Sequence, residues 1–267
     1  MHQNRILTLL SDFGLSDVYV GVMKGAIAQV NPSLTIVDLT HQIPPQNIFA
    51  ARFCLMNAYP YFPDGTVHVA VVDPGVGSTR RAIAVKFANG FLVGPDNGLF
   101  SGVLSQSPAV TAVELTNPQY WRTPKPSTTF HGRDIFAPVG AHLATGVPLK
   151  YLGQEIDLAT LVQLAIPECT PTDTGVVGCI QYIDYFGNLV TNIPGAYVQG
   201  KTWSAVANGL TIPGGQTYSD SAGVKLAHFG AGIAVVGSHG WVEIAVNGGN
   251  AQLQLQLNCS DPVQVQF

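Results

Sequence analysis

The first 155 or so residues alternate short apolar runs of strand length with longer stretches of helical periodicity. No other feature of the chain constrains its fold as much. Ile6 to Leu10, Thr35 to Leu39, Thr66 to Val72 and Ala112 to Leu115 read as strands. Val18 to Val30 reads as a helix with Val18, Val22, Ala26, Ile27 and Val30 on one stripe, stopped by Asn31-Pro32. Asn47 is placed to cap a helix from Ile48 to Tyr59. Further helices are expected near Leu99 to Leu104 and over Asp134 to Thr145, and a hairpin joins Ala82 to Lys86 with Phe91 to Val93 around Asn89-Gly90. Such alternation predicts an α/β domain with a mainly parallel central sheet. From about Gly175 the texture changes to short strands broken by Gly, Asn and Pro: Val176 to Ile183, Leu189 to Ile193, Ala231 to Val236, Trp241 to Val246 and Ala251 to Leu257. Helical periodicity is absent there, which predicts a smaller all-β barrel or sandwich. The expected division is an α/β domain over 1–157, a linker over 158–174 and a barrel domain over 175–267.

Composition removes several function classes. Only 10% of the residues are charged, against roughly 25% in ordinary soluble domains. With 46% apolar residues the chain is not intrinsically disordered. So little charge implies much covered surface, a hint of subunit contacts. Twelve Lys and Arg against sixteen Asp and Glu make no phosphate-binding face, so nucleic acid is not expected as a partner. No apolar run approaches the roughly 18 residues of a spanning helix, and the five residues between Arg5 and Ser11 are too few for a signal-peptide core. Cys54, Cys169, Cys179 and Cys259 are widely spaced and include no CxxC pair. A cytoplasmic protein with buried thiols, no membrane contact and no metal is expected.

Three polar clusters follow strands of the first half, where ligands of open α/β sheets bind. Ser11-Asp12-Phe13-Gly14 reads either as a turn whose Asp12 caps the next helix or as a carboxylate that grips a ligand diol. In VVDPGVGSTRR, Asp73 ends an apolar strand and the glycines force a loop. Asp73 there either accepts loop N–H groups or is a working carboxylate, with Arg80 or Arg81 reaching back to it. No Gly-Lys-Ser/Thr follows, so this is not a P-loop. In TTFHGRD, His131 stands just before a helix; with Asp73 and Arg80 it would complete a set able to hold and deprotonate water. In the second half, Asp184, Gly187 and Asn188 of YIDYFGN fit a hairpin turn, as does Ser238-His239-Gly240. Phe186 and Tyr218 read as core residues or as rings that stack on a base.

Taken in order, SDFG, VVDPGVGSTRR, GPDNGLF, TFHGRDIFAPVGAHLATG, YIDYFGN and SHGWVEIAVNGGNA make a distinctive series. The chain resembles the S-adenosyl-L-methionine (SAM) hydrolases (adenosine-forming), or SAM hydroxide adenosyltransferases, relatives of the fluorinase and chlorinase halogenases. The resemblance runs over nearly the whole chain. It implies an α/β domain with a smaller β-barrel domain, and a homotrimer whose sites lie between one subunit's N-terminal domain and its neighbour's C-terminal domain. The reaction it implies is SAM plus water giving adenosine and L-methionine, with no cofactor. Asp73, Arg80 and His131 match the family's water-activating set. Asp12 matches its ribose-diol carboxylate, Asp184 its partner for the methionine ammonium, and Ser238 its contact to the methionine carboxylate. Asn188 matches an adenine-edge contact, helped by backbone near Val246 and Asn247. Phe186 and Tyr218 match the rings that sandwich adenine, and Phe130 lines the ribose and C5′ region. The halogenases carry Tyr where Asp73 stands. His239 departs from the Arg that they carry after the serine, which predicts a weaker or pH-dependent grip on the carboxylate. Two other readings stay open: a SAM- or adenosine-binding regulatory protein with negligible turnover, and a SAM-dependent halogenase.

Overall fold

The structure is a computed structural model that describes residues 6–220 and 232–267. The chain divides into two compact units, Met1–Leu164 and Ala165–Phe267. No helix among the described residues is long and apolar enough to cross a membrane.

The first unit is a seven-stranded sheet with helices. In chain order its elements are β1 (Leu7–Ser11), α1 (Tyr19–Val30), β2 (Ile36–Thr40), α2 (Ile48–Ala58), β3 (Thr66–Val71), β4 (Ala82–Phe87), β5 (Gly90–Pro95), α3 (Ser101–Gln106), β6 (Ala109–Glu114), α4 (Ala137–Thr145) and β7 (Gln154–Glu155). The strand order is β2-β1-β3-β5-β4-β6-β7. The sheet is mixed, so the parallel character expected of it holds in part. β2, β1, β3 and β5 run parallel, whereas β4, β6 and β7 pair antiparallel. The cause was already present in the sequence: the turn before Gly90 pairs Phe87 with Gly90, and a connection that short joins only antiparallel strands.

The helices follow local chemistry. Asn47 caps α2 by accepting the Ala50 N–H at 2.9 Å, as its position predicted. The helix expected from Asp134 opens instead as a π-helical turn over Gly132–Phe136, then runs on as α4 with Pro138 in its first turn. The stripe expected on α1 is rotated. Val20, Met23, Ala26 and Ile27 are its buried residues, while Val18 and Val22 face outward with Leu15 and Tyr19. Leu7, Leu9, Val67, Val69, Phe136 and Leu143 anchor the core between sheet and helices.

The second unit is an antiparallel, nearly closed barrel. It comprises β8 (Thr170–Thr172), β9 (Gly175–Ile183), β10 (Leu189–Pro194), β11 (Ser204–Ala207), β12 (Leu210–Pro213), β13 (Gly232–Val236), β14 (Trp241–Val246), α5 (Ala251–Leu255) and β15 (Pro262–Gln266). The order is β12-β11-β15-β9-β10-β14-β13, with β8 on β9. The Gly215 N–H donates to the Ala234 carbonyl at 2.9 Å, beside a bridge from Gly214 to Ala234, and so brings the two ends of the sheet together. Ala231, expected to begin β13, lies outside the described residues. The strand expected over Ala251 to Leu257 is the short helix α5. Asn250 caps it by accepting the Leu253 N–H at 2.9 Å, and Ala251 and Leu255, four apart, are buried while Leu253 is exposed. Of the thiols expected to be buried, Cys179 is, but Cys259 is exposed.

Close packing gives a direct test. Gly140 lies in the middle of α4, where Ala would ordinarily favour a helix by about 1 kcal/mol. A Cβ at Gly140 would meet Val69 Cγ2 at 2.4 Å. Gly140→Ala is therefore expected to destabilise the protein by about 1–3 kcal/mol, read as a lower midpoint of urea unfolding; an unchanged or raised midpoint would contradict this packing.

Candidate active site

β3 delivers Val72 and Asp73 to the carboxyl end of the parallel strands, and Pro74 to Thr79 then turn away as a loop. Arg80 returns to the carboxylate. Its Nε donates to Asp73 Oδ1 at 2.9 Å, its Nη2 pairs with Asp73 Oδ2, and the same Nη2 donates to His131 Nδ1 at 2.7 Å. The Asp73 and Arg80 side chains are only 6% and 11% exposed. The guanidinium also lies over the Phe136 ring, 5.3 Å from its centroid. Arg81, the other candidate, turns away to Asp96 and to the Thr160 carbonyl.

A guanidinium only donates, so His131 Nδ1 must accept, and the ring proton of neutral His131 sits on Nε2. Burial holds the His131 pKa below the ordinary imidazole value, and the Arg80 charge adds to this; Asp73 and Asp134 pull the other way. His131 is brought near Asp73 by two loops that touch. Gly77 has a positive φ of 76°, and a Cβ there would lie 2.4 Å from the Thr128 carbonyl oxygen, so only glycine fits this close approach.

The sequence reading passed over Asp134, which pins the segment carrying His131. Its side chain is 0% exposed and accepts from Arg122 Nε at 2.5 Å, Arg133 Nε at 2.7 Å, Arg133 Nη2 at 2.8 Å and the Ser127 N–H at 2.8 Å. Burial alone would raise its pKa; the hydrogen bonds from Arg133, Arg122 and Ser127 outweigh burial and hold it far below the usual carboxylate range. The cue was an acid three residues after His131, flanked by Arg122 and Arg133.

Asp73 and His131 line an open cleft of about 390 Å³ with Asp12, Phe13, Tyr19, Gln46 and Phe130. Phe13, Tyr19 and Phe130 form a ring cluster with centroids 5.3 to 5.8 Å apart. Asp12 does not cap α1, whose N-cap is Val18 with no side-chain bond; it accepts the Gln46 N–H at 2.8 Å.

The second unit has its own cleft, about 460 Å³, and it gathers most of the residues singled out there: Asp184, Phe186, Asn188, Tyr218, Val246 and Asn247. Phe186 is 70% exposed and Tyr218 46%, so neither is a core residue. Asp184 holds its own turn, accepting from the Phe186 N–H at 2.9 Å, the Asn188 N–H at 2.8 Å and Asn188 Nδ2 at 2.9 Å. The turn reading is thus realised in the hydrogen bonds, on the wall of a cleft. Ser238 is not part of this lining and lies exposed in the turn between β13 and β14.

Glu243, also passed over, is 3% exposed. It accepts from Tyr218 Oη at 2.9 Å and lies 3.0 Å from His239 Nε2. The Trp241 N–H donates to His239 Nδ1 at 3.2 Å, so Nε2 carries the proton and donates to Glu243. Both ring nitrogens of His239 are therefore engaged inside the turn. Burial, and then the bond to Glu243, push the Tyr218 pKa up to about 12. Its signal was a single acid in the apolar strand WVEIAV. Among the described residues no three His, Cys, Asp or Glu side chains gather to hold a metal ion.

Residues 7–153 match the model of the SAM hydroxide adenosyltransferase N-terminal domain, and residues 178–264 that of its C-terminal domain. The chain is 39% identical over 261 residues to an (R)-S-adenosyl-L-methionine hydrolase of Salinispora arenicola, covering 97% of each protein. A fluorinase of Nocardia brasiliensis is more distant, at 27% identity over 295 residues, with 97% of this chain and 96% of the fluorinase covered. The crystal structure of an uncharacterized conserved protein from Thermotoga maritima matches with a TM-score of 0.89 at 32% identity, covering 98% of this chain and 100% of that one.

Removing Asp134 would leave two guanidinium groups and a backbone N–H without their acceptor. Asp134→Ala is expected to cost about 3–5 kcal/mol at neutral pH. For Asp134→Asn the gap from wild type should narrow as pH falls below the ordinary carboxylate value of 3.8. The depressed pKa gives wild type an advantage that is complete above that value and fades as Asp134 protonates. Denaturant melts of both variants between pH 2 and 7 check the sign; a gap that widens toward acid would contradict it.

Proposed function

The chain belongs to the SAM hydroxide adenosyltransferase family, and from that premise we propose how its residues carry out the reaction. It hydrolyses SAM to adenosine and L-methionine. The observation that carries this reading is the Arg80 guanidinium, which holds the Asp73 carboxylate and the His131 ring together at the mouth of an open cleft.

The chemistry suits those residues. C5′ of SAM is bonded to a sulfonium, so the leaving group departs as a neutral thioether and needs no general acid. The oxygen of water forms a bond to C5′ as the C5′–S bond breaks, and the electron pair of that bond stays on sulfur. The difficulty is the nucleophile, which must be held in line with the bond and relieved of a proton; positioning of this kind is worth about 7–11 kcal/mol in favourable cases. Asp73 keeps lone pairs beyond those that Arg80 occupies, so it orients the water and receives its proton. Arg80 stabilises the developing hydroxide. His131 offers its Nε2–H as a donor, and with Nδ1 occupied by Arg80 it is not the base. The negative charge of Asp73 beside the reacting carbon also repels halide, which favours water.

Around this centre, Asp12 takes the ribose hydroxyls and Phe130 packs along the ribose and C5′. Phe186 and Tyr218 enclose adenine, Asn188 and the backbone at Val246 and Asn247 read its edge, Asp184 pairs with the methionine ammonium, and Ser238 meets the carboxylate. No cofactor takes part. The cleft of the first unit in one copy and that of the second unit in a neighbouring copy together enclose one SAM, in a cytoplasmic homotrimer. Exposed apolar residues support this reading: Tyr19, which lines the first cleft, with Leu15, Val18 and Val22 near it in sequence, and Phe186, which lines the second, next to Tyr185.

The deciding experiment incubates the purified protein with SAM in halide-free buffer made with ¹⁸O water. Adenosine labelled at its 5′ oxygen, with methionine, is the expected product by chromatography and mass detection. Asp73→Ala should lower kcat by about 10²–10⁴-fold while SAM still binds. Intact SAM despite measurable binding, or consumption only on adding halide, would overturn hydrolysis.

The pH profile tests the role of His131 separately. Its depressed pKa keeps the ring neutral at pH 7 and for some distance below 6.5. Protonation would set an Nδ1–H against an Arg80 N–H, donor facing donor. The acid limb of kcat is expected below pH 6.5, and a limb at or above that value would contradict this arrangement.

A further inference from the structure

We propose that His41 is a positioning residue for the ribose-binding carboxylate, acting through the turn that carries Asp12. This inference rests on the proposed role of Asp12 in holding the ribose hydroxyls.

β1 and β2 are parallel neighbours, so the loops that follow them emerge side by side. Three bonds from the second loop hold the first. The His41 ring is 3% exposed, and its Nδ1 lies 2.7 Å from Ser11 Oγ, itself wholly buried. The His41 carbonyl accepts the Gly14 N–H at 2.7 Å. Five residues on, the Gln46 N–H donates to Asp12 Oδ2 at 2.8 Å. Gln46 has a φ of 65°, in the left-handed region that a residue with a side chain rarely adopts. The chain thus accepts local strain at the residue whose N–H aims at Asp12, as backbones do where geometry serves a site.

The far side of the ring faces Asp38. His41 Nε2 lies 3.2 Å from Asp38 Oδ1, within ion-pair reach though off the line of a hydrogen bond, and Lys24 Nζ donates to Asp38 Oδ2 at 2.6 Å. With Asp38 facing Nε2, the proton of neutral His41 belongs there, and Nδ1 accepts from the Ser11 hydroxyl. Ser11 Oγ then keeps a lone pair toward the Phe13 N–H, 3.4 Å away. Ser11, Asp12 and Gly14 are each held by the His41–Gln46 loop. Asp12 and Gln46 both line the cleft; the His41 ring does not. His41 therefore acts on a ligand only through the turn.

The test uses the full chain with Ser11→Ala, His41→Leu and His41→Asn. Adenosine and 2′-deoxyadenosine are the probes, their Kd values read by calorimetry, alongside steady-state kinetics with SAM. Wild type is expected to prefer adenosine by at least about tenfold, the usual effect of losing a hydrogen bond to a charged group. Ser11→Ala and His41→Leu should shrink that preference to below about threefold and raise KM by about tenfold, with kcat within about threefold of wild type. His41→Asn, whose carboxamide oxygen can accept the Ser11 hydroxyl, should restore the preference. Ser11→Ala removes a single hydroxyl, so it tests the idea even where His41→Leu fails to fold. A wild-type preference retained in Ser11→Ala and in any folded His41→Leu would overturn the positioning role and leave the hydrolase reading intact. A fall in kcat and thermal stability with the preference unchanged would do the same and make His41 a structural residue only. Wild type that turns over SAM yet binds the two nucleosides equally would overturn the role of Asp12 and this inference with it. Wild type that leaves SAM intact would overturn the hydrolase reading alone, since the preference for adenosine tests Asp12 without turnover.

Discussion

A guanidinium that touches a carboxylate and an imidazole at once fixes more than position. Arg80 has only donors, so every group it meets must present a lone pair to it. Asp73 is held as a bidentate partner, and the neutral His131 ring is held in one tautomer with its proton directed away from Arg80. From that one contact follow the fixed orientation of the carboxylate, the donor offered by Nε2, and the exclusion of Nδ1 as a base. Lys could not substitute: a point charge on a flexible stem has no rigid fork with which to span both partners.

The sheet explains why these groups meet. β1, β2, β3 and β5 run parallel, so the loops after β1, β2 and β3 open at the same edge, carrying Asp12, the His41–Gln46 segment and Asp73. The antiparallel β4 brings Arg80 back from the opposite direction, immediately before the strand begins at Ala82. A fully parallel sheet would need a long crossover between Asp73 and its arginine. The mixed sheet closes the distance with a loop of a few residues, stiffened where Gly77 lies against the Thr128 carbonyl.

Much of this was legible in the sequence, for stated physical reasons. Strand–helix alternation gave the first unit and broken short strands the second. Asn47 announced its own helix, and the strand-end motifs marked Asp12, Asp73 and His131. What escaped notice was of two kinds. Period alone misplaced α5, because Ala-Gln-Leu-Gln-Leu alternates like a strand while Ala251 and Leu255 pack as a helix under the Asn250 cap. It also misaligned α1, where outward-facing valines resemble a core stripe. The other misses were side chains whose role depends on distant partners. Asp134 is understood only beside Arg122 and Ser127, Glu243 only beside Tyr218, and His41 only beside Ser11. Local sequence shows an acid or a histidine but not the donor that makes burying it tolerable.

The scarcity of charge also takes on a second meaning. It suggested covered surface, yet part of it is explained within the first unit. Four of the chain's twelve cationic side chains, Arg80, Arg81, Arg122 and Arg133, are paired with just three aspartates, Asp73, Asp96 and Asp134. The carboxylates of those aspartates are at most 6% exposed. Isolated ion pairs of this kind add little net stability, because desolvation offsets their attraction, but removing one partner is costly. They therefore act as conditional locks: each loop has one low-energy arrangement, and any other strands a buried charge. Asp73 holds Arg80 against His131, Asp96 holds the Val162 N–H at 2.9 Å, and Asp134 holds the segment that ends in His131. A chain with few charges thus places a large share of them in pairs with buried carboxylates that hold its loops in one arrangement.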